Sequence, residues 1–223
     1  MFKGAYENML DFVFPQHLVC HTCGREAAVN DYGICSNCED KLMPYNREIK
    51  VPGFDGFTAG LIYNEQSRNS IHALKFGGAL YQKEFLVHFM KIPEDWSFDC
   101  VVPVPLHKKR EKERGYNQSA VLAKELCKRY NLVMREDLLV KIRNTPKQST
   151  LGAEERAKNL RGAYAASSEC RGMSILLVDD VRTTGSTLKA CAVAFRREGA
   201  AAVYGIAACC TMTERISDGW YYL

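Results

Sequence analysis

Residues 175–187 read ILLVDDVRTTGST, and this stretch decides the fold. Four apolar residues, Ile175 to Val178, run without alternation into two adjacent aspartates, then into hydroxyls gathered around one glycine. A short, unbroken apolar run describes a strand buried on both faces, as in a parallel sheet covered by helices. Two carboxylates straight after it are costly unless something compensates them. In open parallel sheets ligands bind beyond the carboxyl ends of the strands, and this order puts Asp179 and Asp180 there, at the rim of the core.

The residues that follow, Thr183, Thr184, Gly185, Ser186 and Thr187, offer hydroxyl donors and a glycine free to take unusual dihedrals. A helix starting at about Ser186 adds free N–H groups that attract an anion. The loop is therefore a phosphate cradle. It lacks the lysine of a GxxxxGK[ST] loop, and it is not a GxGxxG dinucleotide fingerprint. Acids that accept from sugar hydroxyls, followed by donors to a phosphate, describe a ribose 5-phosphate site. Arg182, a cation just before the loop, either reinforces phosphate binding or points to solvent.

Outward from this strand the chain keeps an α/β rhythm. FTAGLIY, DCVVPVPL and AAVYGIAAC read as strands; SRNSIHALKF, ALYQKEFLVHFM, SAVLAKELCKRY and STLKACAVAFRREG carry helical spacing, and GAEERAKNLRGAY reads as a polar helix. Strands separated by helices predict a mostly parallel, Rossmann-like sheet flanked by helices. Cys191, Cys209 and Cys210 sit in Ala-rich apolar surroundings and read as small core residues. His72 and His88 lie in helical stretches and take no site role.

The first fifty residues differ in character. Cys20, Cys23, Cys35 and Cys38 form C-x2-C-x11-C-x2-C, in which each pair folds as a tight turn presenting two thiolates. Two such turns complete the tetrahedral S4 shell of a structural zinc site, so residues 1–50 read as a metal-dependent module. His17 and His21 are nearby, but four thiolates already fill the shell. The Pro-Gly turn signal at residues 49–53 places the boundary, leaving 51–223 as the main domain.

Composition fits this division. The 223 residues are 47% hydrophobic, enough for a substantial core, and no apolar run approaches the ~20 residues of a membrane span. The N-terminus MFKGAYENMLDFVF carries Glu7 and Asp11 where a secretory signal needs a basic then apolar pattern, so the expectation is a cytoplasmic chain. Ten cysteines with four of them in CxxC pairs fit reduced thiols and a metal better than a disulfide framework. A net charge of +4 does not by itself imply nucleic acid.

Three further stretches carry chemistry. LKFGG places Lys75 and Phe76 before Gly77 and Gly78, where backbone approaches an anion closely. VVPVPLHKKREKERGYNQS leaves a strand for a basic loop with five Lys/Arg between residues 108 and 114, then enters a helix at Asn117 and Gln118. Arg110 and Arg114 are placed as mobile clamps on a diphosphate, the alternative being a solvated charged loop. KIRNTPKQSTLGAEERAKNLRGAY adds Arg143, Gln148, Arg156 and Asn159 without an evident core role.

VDDVRTTGST resembles the phosphoribosyl diphosphate (PRPP) binding motif of type I phosphoribosyltransferases, and it departs from that motif at Arg182. The resemblance implies that Asp179 and Asp180 hold the ribose hydroxyls, Thr183 to Thr187 the 5-phosphate, and Lys75, Phe76 and Gly77 the diphosphate. The ordered set of CxxC pairs, KFGG, PVPL with its RGYNQ, and DDV-TTG-T is similar, over essentially the whole chain, to the ComF/GntX family. That likeness implies an N-terminal zinc module on a type I phosphoribosyltransferase fold, with links to natural competence and DNA uptake. Mg2+ is the expected cofactor with PRPP, since hard oxygen ligands suit it. The family also implies partners: single-stranded DNA, which the basic segment and Tyr116 would contact, and a helicase of the uptake machinery. Two functions stay open, transfer of phosphoribosyl to an unidentified acceptor and a non-catalytic adaptor that binds PRPP and single-stranded DNA.

Overall fold

A computed structural model of the chain describes residues 19–45, 47–145 and 160–211. Its centre is a four-stranded sheet in the order β1 (Gly56–Ile62), β6 (Ala202–Cys210), β5 (Ser174–Arg182), β2 (Cys100–Pro103), with every pairing parallel. A separate antiparallel pair joins β3 (Leu139–Lys141) to β4 (Tyr164–Ala166).

The unbroken apolar run of β5 is buried on both sides, as expected of a central parallel strand. Ile175 and Leu177 join one core with Val102, Val203 and Ala207, covered by Leu188, Cys191 and Phe195 of α6 (Ser186–Arg197). Leu176 and Val178 join the opposite core with Val101 and Ile206. That face is covered by α2 (Glu65–Phe76), α3 (Gln82–Phe89) and α5 (Gln118–Tyr130) through Ile71, Leu74, Phe85, Leu86, Leu122 and Leu126. On the chain leaving β2, α5 thus packs on one face, and α6, after β5, packs on the other. Adjacent strands whose connections leave in opposite directions open a crevice at their carboxyl ends, which is where such sheets bind ligands.

Local chemistry sets the helix starts. Asn64 accepts from the Ser67 N–H at 3.1 Å while the Ser67 hydroxyl accepts from the Asn64 N–H at 2.9 Å, a reciprocal cap that begins α2. Asn117 accepts from the Ser119 N–H at 3.1 Å and donates to the Val104 carbonyl at 3.0 Å, fixing the start of α5 against the end of β2. The basic stretch expected to be a loop is a helix, α4 (Lys108–Arg114), bounded by the His107 side chain and by Gly115 at φ +89°. Its opposite charges recur at helical spacing, Lys108 with Glu111 and Glu111 with Arg114 at i,i+3 and Lys109 with Glu113 at i,i+4, which favours helix even though none of its residues is buried.

The cysteine pairs lie in turns bridged by short antiparallel contacts, Val19 with Glu26 and Val29 with Cys35, followed by the single turn α1 (Ser36–Glu39). Residues 43–45 and 47–49 then run antiparallel along the free edge of β1, with the Tyr45 N–H on Gly60 and the Ile49 N–H on Phe57. This covers an edge that would otherwise be open to another chain. The expected polar helix at 152–164 lies mostly outside the described residues, and its last residue, Tyr164, begins β4. Gln148, Arg156, Asn159, His17 and the aromatic tail also lie outside them.

Candidate functional site

A cleft of about 510 Å³ opens at the carboxyl ends of β2 and β5. Val104, Pro105 and Leu106 form one wall as the chain leaves β2; Asp179, Asp180, Val181, Thr183 and Thr187 form the floor along β5 and into α6. The two aspartates do not lie past the end of their strand. β5 continues to Arg182, held by β6 through Arg182 opposite Cys210, while its pairing to β2 stops at Val178 opposite Pro103. The carboxylates occupy the stretch where one neighbour has ended and the other has not. They are therefore buried, at 6% and 4% exposure, yet border the crevice.

Protein groups compensate both charges. The Lys75 ammonium lies 2.6 Å from Asp180 Oδ2. Asp179 Oδ1 accepts from the Ser119 hydroxyl at 3.0 Å and from the Asp180 N–H at 2.9 Å. For Asp179 these donors do not suffice. Burial first, and the neighbouring Asp180 charge second, push its carboxyl up to about 7 despite Lys75 and Ser119. Burial alone would lower the Lys75 ammonium, and Asp180 reverses this and raises it.

Of the expected diphosphate residues only Lys75 lines the cleft. Helix α2 runs through Phe76, so Lys75 points inward from its last turn while Phe76 is turned outward at 65% exposure. Gly77 is the helix cap against Ala73, and the chain turns at Gly78 with φ +63°. In the phosphate loop Thr183 and Thr187 face the cleft, whereas the hydroxyls of Thr184 and Ser186 lie 2.8 Å from each other. Gly185, at φ +74°, is the N-cap of α6 and brings no side chain, so the Ser186 N–H has only a long 3.4 Å contact to the Thr184 hydroxyl. This is the arrangement an anion completes.

Arg110, Arg114 and Gln118 line the cleft, while Asn117 caps α5 instead. Arg110 donates to the Thr145 carbonyl at 2.7 Å, and Arg114 donates to Gln118 and stacks its guanidinium 5.1 Å over Phe76. In this structure both side chains are held by protein groups. Sequence reading missed Lys141 and Tyr164, which form the far wall from the β3–β4 pair with the ammonium 5.2 Å over the ring. Burial, and then Arg110, lower the Lys141 ammonium. Ser119 and Tyr63 were missed as well. Ser119 was findable as the second residue of a capped helix beginning beside the cleft; the short LVK strand carried no such signal.

The four cysteine sulfurs lie within 4.8 Å of one another, with Cys23 and Cys35 at 4.0 Å. A tetrahedral zinc with Zn–S bonds of ~2.3 Å needs sulfurs about 3.8 Å apart, so the donor set fits that ion. Burial raises the Cys20 thiol, but N–H donors from Cys35, Cys23 and Thr22 outweigh it and bring it down to about 6. Burial and the neighbouring thiols push Cys38 up, so four thiolates need a cation to hold them together. Among the described residues no helix is long and apolar enough to cross a membrane.

Comparisons with known proteins agree with this architecture. The phosphoribosyl transferase domain family matches residues 114–219. DNA utilization protein YhgH of Escherichia coli (strain K12) is 30% identical over 195 residues, covering 87% of this chain and 85% of the relative. Competence protein ComFC of Bacillus subtilis (strain 168) is 29% identical over 197 residues, covering 82% and 74%. Competence protein F of Haemophilus influenzae is 26% identical over 202 residues, covering 81% and 85%. Among solved structures, the glutamine PRPP amidotransferase of B. subtilis superposes with a TM-score of 0.39 at 19% identity, covering 65% of this chain and 28% of the other. With a phosphoribosyltransferase domain, a parallel sheet flanked by helices and a four-cysteine cluster in one molecule, the chain belongs to the ComF-type family of phosphoribosyltransferase-domain proteins.

Proposed function

We propose that the cleft binds PRPP and supports transfer of its phosphoribosyl group to an acceptor. The observation that carries this reading is the continuity of β5 into α6. Asp179 and Asp180 border the cleft, Thr183 and Thr187 line it beside them, and α6 begins at Ser186, six residues after Asp180. One ligand that spans both features has vicinal hydroxyls at one end and a phosphate at the other. The remaining cations of the cleft, Lys75, Arg110, Arg114 and Lys141, outnumber its two carboxylates, which suits a polyanion.

In the transfer, the bond between ribose C1 and the diphosphate oxygen breaks, the bond from C1 to the acceptor forms, and the acceptor gives up its proton. The chain contributes position and electrostatics. Thr183, Thr187 and the N–H groups at the start of α6 hold the phosphate. Asp179 and Asp180 accept from the ribose hydroxyls. Lys75 and Arg114 face the departing charge. Mg2+ arriving with the diphosphate would supply further charge neutralisation, with Asp179 and Asp180 as the hard oxygen donors on the protein side. Zn2+ in the four-cysteine site would be structural, because all four positions of its shell are thiolates.

Titration with PRPP and Mg2+ should saturate, and D179N plus D180N together should abolish it; unchanged affinity in the double variant would remove the assignment. A second reading has its own observation. Phe76, 65% exposed, lies under the Arg114 guanidinium at the cleft, a basic and aromatic edge suited to a single-stranded nucleic acid. The relatives named for DNA utilization and competence fit that setting. Salt-sensitive DNA binding that survives D180N but not R110A plus R114A supports the adaptor; diphosphate release with a panel of acceptors supports the enzyme.

A further inference from the structure

Arg182 has no part in the site as described so far. It is the last residue of β5 and is 9% exposed, which excludes the solvent-facing alternative that the sequence leaves open. Its guanidinium carbon lies 5.6 Å from the centre of the Phe57 ring. Among the described residues no carboxylate forms an ion pair with it, and its Nε has no hydrogen-bond partner. Nor does the thiol of Cys210, opposite it in the sheet, answer the charge. Burial pushes that thiol up to about 11 even with Arg182 pulling it down, so it stays neutral.

A guanidinium keeps its proton in any protein setting, so the charge persists. An aromatic face compensates only part of the hydration lost on burial. A Cβ built on Gly185 would sit 3.6 Å from Arg182 Nε, so the unpartnered nitrogen lies against the turning point of the phosphate loop. Gly185 itself is the N-cap of α6 and has no side chain to offer, and the Ser186 N–H has only the Thr184 hydroxyl at 3.4 Å. A full charge and the positive end of a helix thus meet at one loop, and no carboxylate of the described residues pairs with Arg182.

We propose that Arg182 is the buried counter-charge for a dianionic phosphate monoester seated in the loop from Thr183 to Thr187, and that it makes the loop select a dianion over a monoanion. The inference rests on that loop being the phosphate seat. Arg182 is a positioning residue: it acts through the loop, stabilising the ligand's second negative charge without a place among the groups that contact ribose.

The test compares ribose 5-phosphate with its monoanionic isostere, ribose 5-sulfate, by calorimetry on the full chain. The wild type should bind the phosphate ester about tenfold or more tightly than the sulfate, a charge-assisted contribution. R182M should lose most of that preference while binding the sulfate nearly as before, and R182K should keep part of it. Without ligand, R182M should melt no lower than the wild type, since it removes an unanswered buried charge. A wild type that binds both esters equally overturns the proposal, whether or not R182M folds. So does an R182M that melts lower but retains full selectivity, which marks a purely structural role. A wild type that binds neither ester removes the reading of the loop itself, a different failure from the loss of selectivity alone.

Discussion

Asp179 is the residue at which this cleft departs most from ordinary surface chemistry. Its carboxyl lies near 7, against an ordinary 3.8, because burial and the adjacent Asp180 outweigh the two donors it accepts from. The folded state therefore holds this proton more tightly than the unfolded chain does. The stability linked to it is fully present below about pH 4 and is lost as pH rises through about 7, the reverse of a paired carboxylate. D179N should accordingly melt above the wild type at about pH 8 and close to it at about pH 4; a difference that shrinks toward high pH would contradict the burial argument. Ligand affinity should move the other way. Ribose hydroxyls donate to the ionised carboxylate, so PRPP should bind more tightly as pH climbs through about 7, and that pH dependence should vanish in D179N. The sequence disclosed these two acids but not their state. Four apolar residues before them implied a strand end, whereas their burial depends on β6 outrunning β2, which no local pattern encodes.

At the scale of elements, the site depends on where α5 and α6 begin. Asn117 does two things at once, satisfying the Ser119 N–H and tying the helix start to the Val104 carbonyl. Ser119, held by that geometry, then donates to Asp179. N117A should cost about 1–2 kcal/mol in chemical unfolding, the usual loss of a good cap, and should weaken PRPP binding through Ser119. N117D, which keeps the acceptor for Ser119, should recover most of the stability; if N117A binds PRPP as the wild type does, the chain of contacts from cap to carboxylate is not functional. Elements were legible where periodicity was strong, as in α5, α6 and β5. They were misjudged where charge masked helical spacing, since α4 buries nothing and its seven residues read as loop. The wall formed by Lys141 and Tyr164 was invisible for another reason. These residues reach the cleft only through the pairing of two three-residue strands separated by more than twenty positions.

For the whole molecule, the question is whether the cysteine module is an independent unit, as the contrast in composition suggested. The described contacts tie it closely to the main domain. Cys20, Ile34, Cys35 and Cys38 belong to the same core as Leu61, Ile71, Leu74, Phe85 and Leu176. The Gln82 side chain donates to the His21 carbonyl at 3.1 Å, and the hydroxyls of Thr22 and Ser70 lie 3.4 Å apart beneath the module. Residues 43–45 and 47–49 complete the edge of β1. A metal that organises the thiolates therefore also organises one face of the sheet, the face on which α2 carries Lys75 to Asp180. Removing it with a chelator should lower the thermal midpoint of the entire chain, on the order of 10 °C, in one transition. It should also weaken PRPP binding, although the four-cysteine cluster contributes no residue to the cleft. Zn2+ should restore both, with four thiols becoming reactive and then protected in step. Two separate transitions, with PRPP affinity intact after the first, would mean that the module folds on its own and that the shared core transmits nothing to the site.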